Sequence, residues 1–117
     1  MDPIKRDTTN PSMEGLLSAI ECLRDLDREV PAQVVSVLLY IAIHEPCHKQ
    51  AIEEDLDFTT ASCSRNIAWL SYKHRLNKPG LGLVQFERDP SNRRRYIVWL
   101  TKEGKELMKT LEAKLYG

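Results

Sequence analysis

The sequence predicts a mainly helical α+β fold with a single β-hairpin. Apolar residues recur every three or four positions over residues 12–74 and again over 102–116, which is typical of helices with a buried face. Between these regions, residues 83–88 and 96–100 are rich in β-branched and aromatic side chains and flank the turn-forming run at 89–92. The chain length of 117 residues suits one domain with one hydrophobic core.

Three helices are expected in the N-terminal half. Residues 1–11 are polar and should form a flexible arm, after which Ser12 can cap a helix over residues 12–29. Pro31 suits the first turn of a second helix, because its missing N–H would have no partner there in any case. The second helix is apolar on almost every side and should therefore be buried. A short third helix is expected over residues 47–57.

A fourth helix and a hairpin complete the predicted order. Thr59 or Thr60 can cap a helix that runs to about residue 74, so residues 47–74 form a helix, a tight turn and a second helix. A hairpin over residues 83–100 follows directly, and Thr101 can cap the last helix. This order predicts that residues 12–117 form one winged helix-turn-helix domain with additional N- and C-terminal helices.

The charged residues are unevenly distributed although the net charge is zero. Residues 1–57 hold 12 acidic and 5 basic residues, residues 58–101 hold 2 and 8, and residues 102–117 hold 3 and 4. A basic block over the fourth helix and hairpin indicates a surface that binds a polyanion. Because the net charge is zero, we expect weak affinity for non-specific DNA compared with a uniformly basic protein.

The polar face of the fourth helix and the tip of the hairpin are the predicted DNA-binding surface. Arginine can bridge O6 and N7 of guanine and asparagine can bridge N6 and N7 of adenine. Adjacent arginines at a hairpin tip repel one another unless a phosphate or a narrow minor groove lies nearby. The candidate DNA-binding residues are Thr60, Ser62, Arg65, Asn66, Trp69, Lys73, Arg88, Arg93, Arg94 and Arg95.

These candidates have simpler interpretations as well. The helix face could be an ordinary solvated surface and the arginines a solubilising turn. Trp69 lies beside the apolar stripe, so a partly buried position is an equal alternative for it. Arg88 could pair with Asp89 or another neighbouring acid.

The first and last helices carry apolar stripes that the central module does not require. Two-fold dimers are the commonest soluble oligomers, and such an interface would bury both stripes. The candidate dimer-interface residues are Leu16, Ile20, Leu23, Leu107, Leu111 and Leu115. The alternative is that these residues belong to the core of a monomer.

Enzymatic, metal-dependent and membrane functions find little support. The sequence has no nucleophile elbow and no phosphate-binding glycine loop, so we expect neither an enzyme nor a cofactor. His44, Cys47 and His48 have a spacing that could supply three zinc ligands. No fourth ligand lies nearby in the sequence, although Cys63 could approach in the fold, and we expect no metal. No apolar run approaches the roughly 20 residues of a membrane span, and the polar N-terminus is unlike a secretory signal.

The cysteines indicate a reducing compartment. They are three in number and widely spaced, so they do not form a disulfide framework, and we expect a cytoplasmic protein. Cys63 falls on the apolar stripe of the fourth helix and is expected to be a small core residue. A redox role for Cys47 or Cys63 stays open as an alternative.

The hairpin and the helix after it resemble those of the MarR family. The run Asp89-Pro90-Ser91-Asn92-Arg93-Arg94, followed by Leu100-Thr101-Lys102-Glu103-Gly104, is similar to that family's wing pattern D-P-x-D-R-R and the subsequent L-T-x-x-G. Ser64-Arg65 with Leu70 resembles its recognition helix, and Gly82-Leu83-Val84 resembles its approach to the hairpin. The resemblance covers residues 34–112.

The resemblance implies a homodimeric transcriptional regulator, which we expect to be a repressor. Its terminal helices would form the dimer, and each protomer would place a recognition helix in the major groove of a pseudo-palindromic operator in double-stranded DNA. The resemblance also implies a small-molecule effector, which the sequence does not identify. The alternative function is a winged-helix module that binds another protein and does not bind DNA.

Overall fold

Five helices and one small antiparallel sheet make up the described part of the fold. The computed structural model describes residues 6–72 and 79–117. The described elements are α1 (Pro11–Leu26), α2 (Ala32–His44), β1 (Cys47–His48), α3 (Lys49–Leu56), α4 (Thr60–Leu70), β2 (Val84–Asp89), β3 (Asn92–Leu100) and α5 (Lys102–Tyr116). The strands lie in the order β1-β3-β2, with both neighbouring pairs antiparallel. The predicted α+β class and the winged helix-turn-helix order are confirmed.

Helix α1 begins one residue earlier than expected and has a different cap. The side-chain oxygen of Asn10 accepts a hydrogen bond from the amide of Met13 at 3.2 Å. Pro11 then occupies the first helical position, where a proline costs no hydrogen bond. Ser12 therefore lies inside the first turn, and its predicted capping role is wrong.

The caps that precede α4 and α5 are as predicted. The Thr59 hydroxyl accepts the amide of Ser62 at 3.0 Å, and the Thr101 hydroxyl accepts the amide of Gly104 at 3.0 Å. Thr101 also donates from its hydroxyl to the carbonyl of Gly82 at 2.7 Å. These two bonds to Thr101 fix the start of α5 against the segment that leads into the hairpin.

A two-residue strand replaces the expected start of α3. Cys47 pairs with Val98 and His48 pairs with Ile97, so β1 forms an edge of the sheet beside β3. A strand this short has no detectable period, and the sequence therefore suggested a helix from residue 47. Its presence places His48 next to the hairpin.

The main core lies between α2, α3, α4 and the sheet. Its buried residues are Val34, Val37, Leu38, Ile41, Ile52, Cys63, Ile67, Leu70, Leu83, Val84, Val98 and Leu100. Helix α2 is not buried on every side, because Leu39 and Ile43 remain 41% and 74% exposed. That expectation was wrong, and the exposed side of α2 faces a groove described below.

Substituting Gly104 by alanine should destabilise the protein. A Cβ at this position would lie 2.2 Å from the carbonyl oxygen of Leu83, so the backbone has to move. We expect a loss of about 1–3 kcal/mol in the free energy of unfolding, as for other overpacked sites. Urea unfolding measures it, with the exposed Lys105→Ala as the control expected to change stability by less than about 0.5 kcal/mol. Equal stability of the two variants would contradict the close approach.

Candidate nucleic-acid interface

A polar network around Lys49 fixes the angle between α3 and α4. The Lys49 ammonium forms an ion pair with Glu53 in its own helix and donates to the carbonyl of Thr60 at 3.1 Å. The Thr60 hydroxyl donates in turn to the Glu53 carboxylate at 3.2 Å. Because both helices are bonded through these three residues, α4 is held as a rigid projecting element.

The exposed face of α4 is formed mainly by small side chains and one arginine. Cys63, Asn66, Ile67 and Leu70 are its buried residues. At 100° per residue, the opposite side centres on Ala61, Arg65 and Ala68, with Ser64 and Trp69 at its flanks. Of these residues, Ala61, Ser64 and Arg65 are exposed, as is Thr60 in the first turn.

Arg65 is the candidate base-reading side chain of this face. Its guanidinium is exposed and donates to the hydroxyl of Ser62 at 3.0 Å. Ser62 is half-buried and therefore orients Arg65 more than it presents its own hydroxyl. Ala61 and Ser64 were not among the predicted DNA-binding residues. The spacing of the apolar stripe is the signal that could have identified them, because both residues lie on the opposite side of the helix.

Two predicted DNA-binding residues of α4 do not lie free on its exposed face. Asn66 is 6% exposed, and its amide nitrogen lies 3.4 Å from the Gln33 side-chain oxygen on α2, so its assignment as a base-reading residue is wrong. Trp69 is half-buried and donates from its indole N–H to the carboxylate of Asp27 at 2.7 Å, as the alternative interpretation expected. Lys73 lies outside the described residues.

The wing arginines lie on a bulged strand and not at the hairpin tip. The turn is made by Pro90 and Ser91, and β3 already begins at Asn92. Arg88 pairs with Tyr96 while Asp89 pairs with Asn92, so the three arginines at 93–95 have no partner on β2 in the register of the described hairpin. Bulges of this kind turn side chains out of the regular alternation of a strand. Arg93, Arg94 and Arg95 are all exposed.

Arg88 braces this bulge. Its guanidinium donates to the carbonyl of Arg93 at 2.7 Å and lies 4.8 Å from the centre of the Tyr96 ring. The alternative pairing of Arg88 with Asp89 is wrong. Arg88 thus supports the backbone that presents the three wing arginines.

Asp89 anchors the turn of the wing. One carboxylate oxygen accepts the Ser91 amide at 2.9 Å and the Ser91 hydroxyl at 2.7 Å, and the other lies 2.9 Å from Nε2 of His48. The hydrogen bonds from His48 and Ser91 lower the pKa of Asp89 to about 2. The carboxylate is therefore ionised at neutral pH.

A cleft lies between α4 and the wing. We call it the arginine cleft, and its lining residues are Lys49, Gln50, Glu53, Thr60, Ser64, Arg94, Arg95 and Tyr96. Glu53 is already paired with Lys49, so the two arginines leave the cleft with a positive wall. The arrangement therefore brings the exposed start of α4 and two wing arginines to the same concave surface.

The six predicted interface residues separate into two groups. Leu23, Leu107 and Leu111 are buried inside the protomer, where α1 packs on α5, and Leu23 and Leu111 also line the inner part of the groove described next. Leu16, Ile20 and Leu115 are 46%, 40% and 42% exposed. The physical reason is that each helix has a wide apolar stripe, and only one edge of it is used between α1 and α5.

The exposed group opens onto an apolar groove. The groove runs between α1, α2 and α5 and has a volume of about 580 Å³. Its most exposed apolar lining residues are Leu16, Ile20, Leu39, Ile43, Leu115 and Tyr116. We refer to this feature as the apolar groove.

The histidines and cysteines do not assemble a metal site in the described part of the chain. No group of three or more His, Cys, Asp or Glu residues there could hold a metal ion. The His44 ring contacts the Tyr40 ring at 4.4 Å, and His48 is bonded to Asp89, so the two histidines of the motif face different partners. All three cysteines are free thiols.

Cys47 and Cys63 should react slowly with thiol reagents in the native protein. Burial raises the pKa of each thiol to about 11, so only about one thiol in a thousand is the reactive thiolate at pH 8. We expect iodoacetamide labelling of both sites, measured by peptide mass spectrometry, to be far slower than in urea-unfolded protein and to accelerate as the pH approaches 11. Equal rates in native and unfolded protein would contradict the burial.

Solved structures share this architecture, although the sequence similarity is low. No family model and no curated protein sequence matches the chain. The crystal structure of MarR superposes with a TM-score of 0.61 and 24% identity over 87% of this chain and 74% of that one. The DNA complex of S. aureus MepR gives a TM-score of 0.69 and 20% identity over 88% and 77% of the two chains.

A third structure covers nearly the whole chain. The PcaV transcriptional regulator from Streptomyces coelicolor, in complex with its natural ligand, gives a TM-score of 0.58 and 19% identity over 98% of this chain and 78% of that one. In the described residues no helix is long and apolar enough to cross a bilayer. From the element order and these three superpositions, we conclude that the chain has the winged helix fold of the MarR transcriptional regulators.

Proposed function

We propose that this protein is a sequence-specific, double-stranded DNA-binding transcriptional repressor that acts as a homodimer on a pseudo-palindromic operator. The observation that carries the proposal is the arginine cleft, in which Arg94 and Arg95 of the wing face the exposed start of α4. A phosphate backbone fits such a cleft, because arginine forms strong, often bidentate bonds to phosphate. MepR, which has the same fold, has been solved in complex with DNA, and this supports DNA as the ligand.

Helix α4 is proposed to read bases in the major groove. Arg65 is long enough to bridge O6 and N7 of a guanine, and Ala61 on the same face can contact the methyl group of a thymine. Thr60 and Ser64 lie towards the arginine cleft, where hydroxyl groups can donate to phosphate. A face with small side chains around one arginine allows the helix to approach the base edges closely.

The homodimer is proposed to form over the apolar groove. Leu16, Ile20, Ile43, Leu115 and Tyr116 would otherwise leave an extended apolar surface in water. Soluble monomers rarely expose such patches, and a second copy of the same groove would cover it around a two-fold axis. The two α4 helices would then contact half-sites about 34–36 Å apart, one turn of DNA. Repression follows because a dimer bound across its operator excludes other proteins from that DNA.

Selection from a random duplex library with the purified protein tests the proposal. We expect enrichment of a two-fold symmetric sequence, with affinity that falls with salt by a slope of about −0.9 in log K against log salt for each phosphate contacted. Arg65→Ala should cost about 1–3 kcal/mol on the selected site and relax the preference at one base pair in each half-site. Lys114→Ala on α5, which is exposed and does not line the apolar groove, is the matched control and should leave the preference unchanged.

The same experiment separates the alternative function. A protein-binding module would show no enrichment and no affinity for duplex DNA at low salt, even at tens of micromolar, where non-specific binders are detected. A reporter gene placed behind the selected site tests the repressor role, since expression should fall when the protein is present. A rise in expression would instead indicate an activator.

A further inference from the structure

His48 lies at the point where β1, β3 and the wing turn meet. Its backbone pairs with Ile97 of β3, while its side chain reaches Asp89 at the end of β2. Because β3 lies between β1 and β2 in the sheet, this contact crosses the central strand and joins both edges. His48 is also the residue immediately before α3, so the contact links the wing to the helix-turn-helix.

The direction of the hydrogen bond follows from the state of Asp89. The carboxylate accepts two bonds from Ser91 and is ionised, so it can only accept from the histidine ring. Nε2 of His48 must therefore carry a proton and donate to Asp89 over 2.9 Å. A bond to an ionised acceptor is stronger than one between neutral groups.

The bond between His48 and Asp89 is connected to the wing arginines through the residues of the turn. Asp89 holds Ser91 in the turn, and Asn92 follows it and accepts the amide of Arg94 through its side-chain oxygen at 3.2 Å. Within the described hairpin, the only register pair beyond the bulge is that of Asp89 with Asn92, so the tip depends on these side-chain bonds more than on a ladder. Fixing Asp89 from outside the hairpin therefore fixes the base of the bulge.

We propose that His48 is a positioning residue for DNA binding, which holds the wing at the angle where Arg94 and Arg95 face α4. The effect of His48 on DNA affinity rests on the proposed function, whereas its effect on the wing angle concerns the free protein alone. Without the bond, the wing would sample other angles before meeting DNA. Binding would then include the free energy of selecting the correct angle.

Two substitutions of His48 isolate the donor. His48→Phe keeps a planar ring without an N–H, and His48→Gln supplies an amide nitrogen close to the position of Nε2. In the free protein, we expect His48→Phe to speed hydrogen exchange at the amides of Ser91 and Arg94 by about tenfold, the scale of removing one bond to a charged group. Exchange at Leu38 and Ile67 in the core should stay unchanged, and His48→Gln should restore the wing amides to within about twofold.

DNA affinity is measured for the same variants on the selected duplex. We expect His48→Phe to weaken binding about five- to tenfold and His48→Gln to recover most of it. Combined with Asp89→Ala, His48→Phe should add less than about twofold, because both changes remove the same bond. His44→Phe on α2 is the control and should match the wild type in both measurements.

The outcomes separate the two proposals. Unchanged wing exchange in His48→Phe, or a defect that His48→Gln fails to correct, would overturn the positioning role even if the wild type binds DNA tightly. Faster wing exchange in a protein that ignores duplex DNA would retain the His48–Asp89 brace and overturn the proposed function. Faster exchange throughout the core of His48→Phe would show a general stability role and would also count against positioning.

Discussion

Reversing two charges of the wing, with Arg94→Glu and Arg95→Glu together, is expected to weaken binding to the selected duplex by about a hundredfold or more. Each substitution removes a guanidinium from the arginine cleft and places a carboxylate against phosphate. A hydrogen bond to a charged group contributes about 1.5–3 kcal/mol, and each wing of a dimer would lose two such bonds. Fluorescence anisotropy of labelled duplex at two salt concentrations measures the loss.

The corresponding alanine variant separates the loss of the two guanidinium groups from the repulsion that the added carboxylates cause. Arg94→Ala with Arg95→Ala should bind more tightly than the glutamate variant and should lower the salt slope by about 0.9 for each phosphate that is no longer neutralised. Lys114→Glu is the control, because it lowers the net charge by two, as the double alanine variant does. It makes this change about 20 Å along α5 from Thr101, at 1.5 Å per residue. If the wing glutamates leave both affinity and repression intact, the wing does not contact DNA and the protein-binding alternative gains support.

Helix α4 shows how much of a local structure an apolar sequence pattern can predict. The stripe Cys63, Ile67 and Leu70 identified the buried side of α4 correctly, since apolar spacing reports burial directly, but the helix ends at Leu70 and not near residue 74 as predicted. The sequence could not show that Asn66 belongs to the same buried side, because its burial depends on Gln33 of a different helix. A polar residue next to an apolar stripe can thus be buried whenever a distant polar partner is supplied.

The wing shows a different limit. Composition and turn residues placed both strands and identified the arginines as exposed, and that much follows from local chemistry. The bulge that leaves residues 93–95 without partners on β2 in the described hairpin depends on strand register, and register depends on turn geometry and on which face of the sheet is buried. The contact between His48 and Asp89 could not be predicted either, because no local pattern connects residues that lie 41 positions apart.

The apolar stripes of α1 and α5 were visible in the sequence, but their division between two surfaces was not. One edge of each stripe closes the protomer through Leu23, Leu107 and Leu111. The other edge lines the apolar groove together with Leu39 and Ile43 of α2, a helix that the sequence placed wholly inside. The groove is therefore a three-helix surface, and α2 contributes to the proposed interface as much as the terminal helices do.

Ile43→Lys should convert the proposed dimer to monomers. Ile43 is 74% exposed and lines the apolar groove, so lysine is tolerated in a free protomer and also suits the C-terminal end of α2. In a two-fold interface the substitution occurs twice and buries two unpaired ammonium groups, which should raise the dimer dissociation constant about a hundredfold. Sedimentation velocity over a range of protein concentrations measures it.

Leu26→Lys provides the matched control for this experiment. Leu26 is 49% exposed near the C-terminal end of α1 but does not line the groove, so its variant should remain dimeric. Monomeric Ile43→Lys should also bind a single half-site nearly as well as the wild type while losing the advantage of two linked half-sites on the full operator. If the wild type is itself monomeric, or if Leu26→Lys dissociates while Ile43→Lys does not, the groove is not the dimer interface. Retention of full operator affinity by a monomeric Ile43→Lys would mean that each protomer recognises the DNA independently, and the two-fold operator would then have no structural basis.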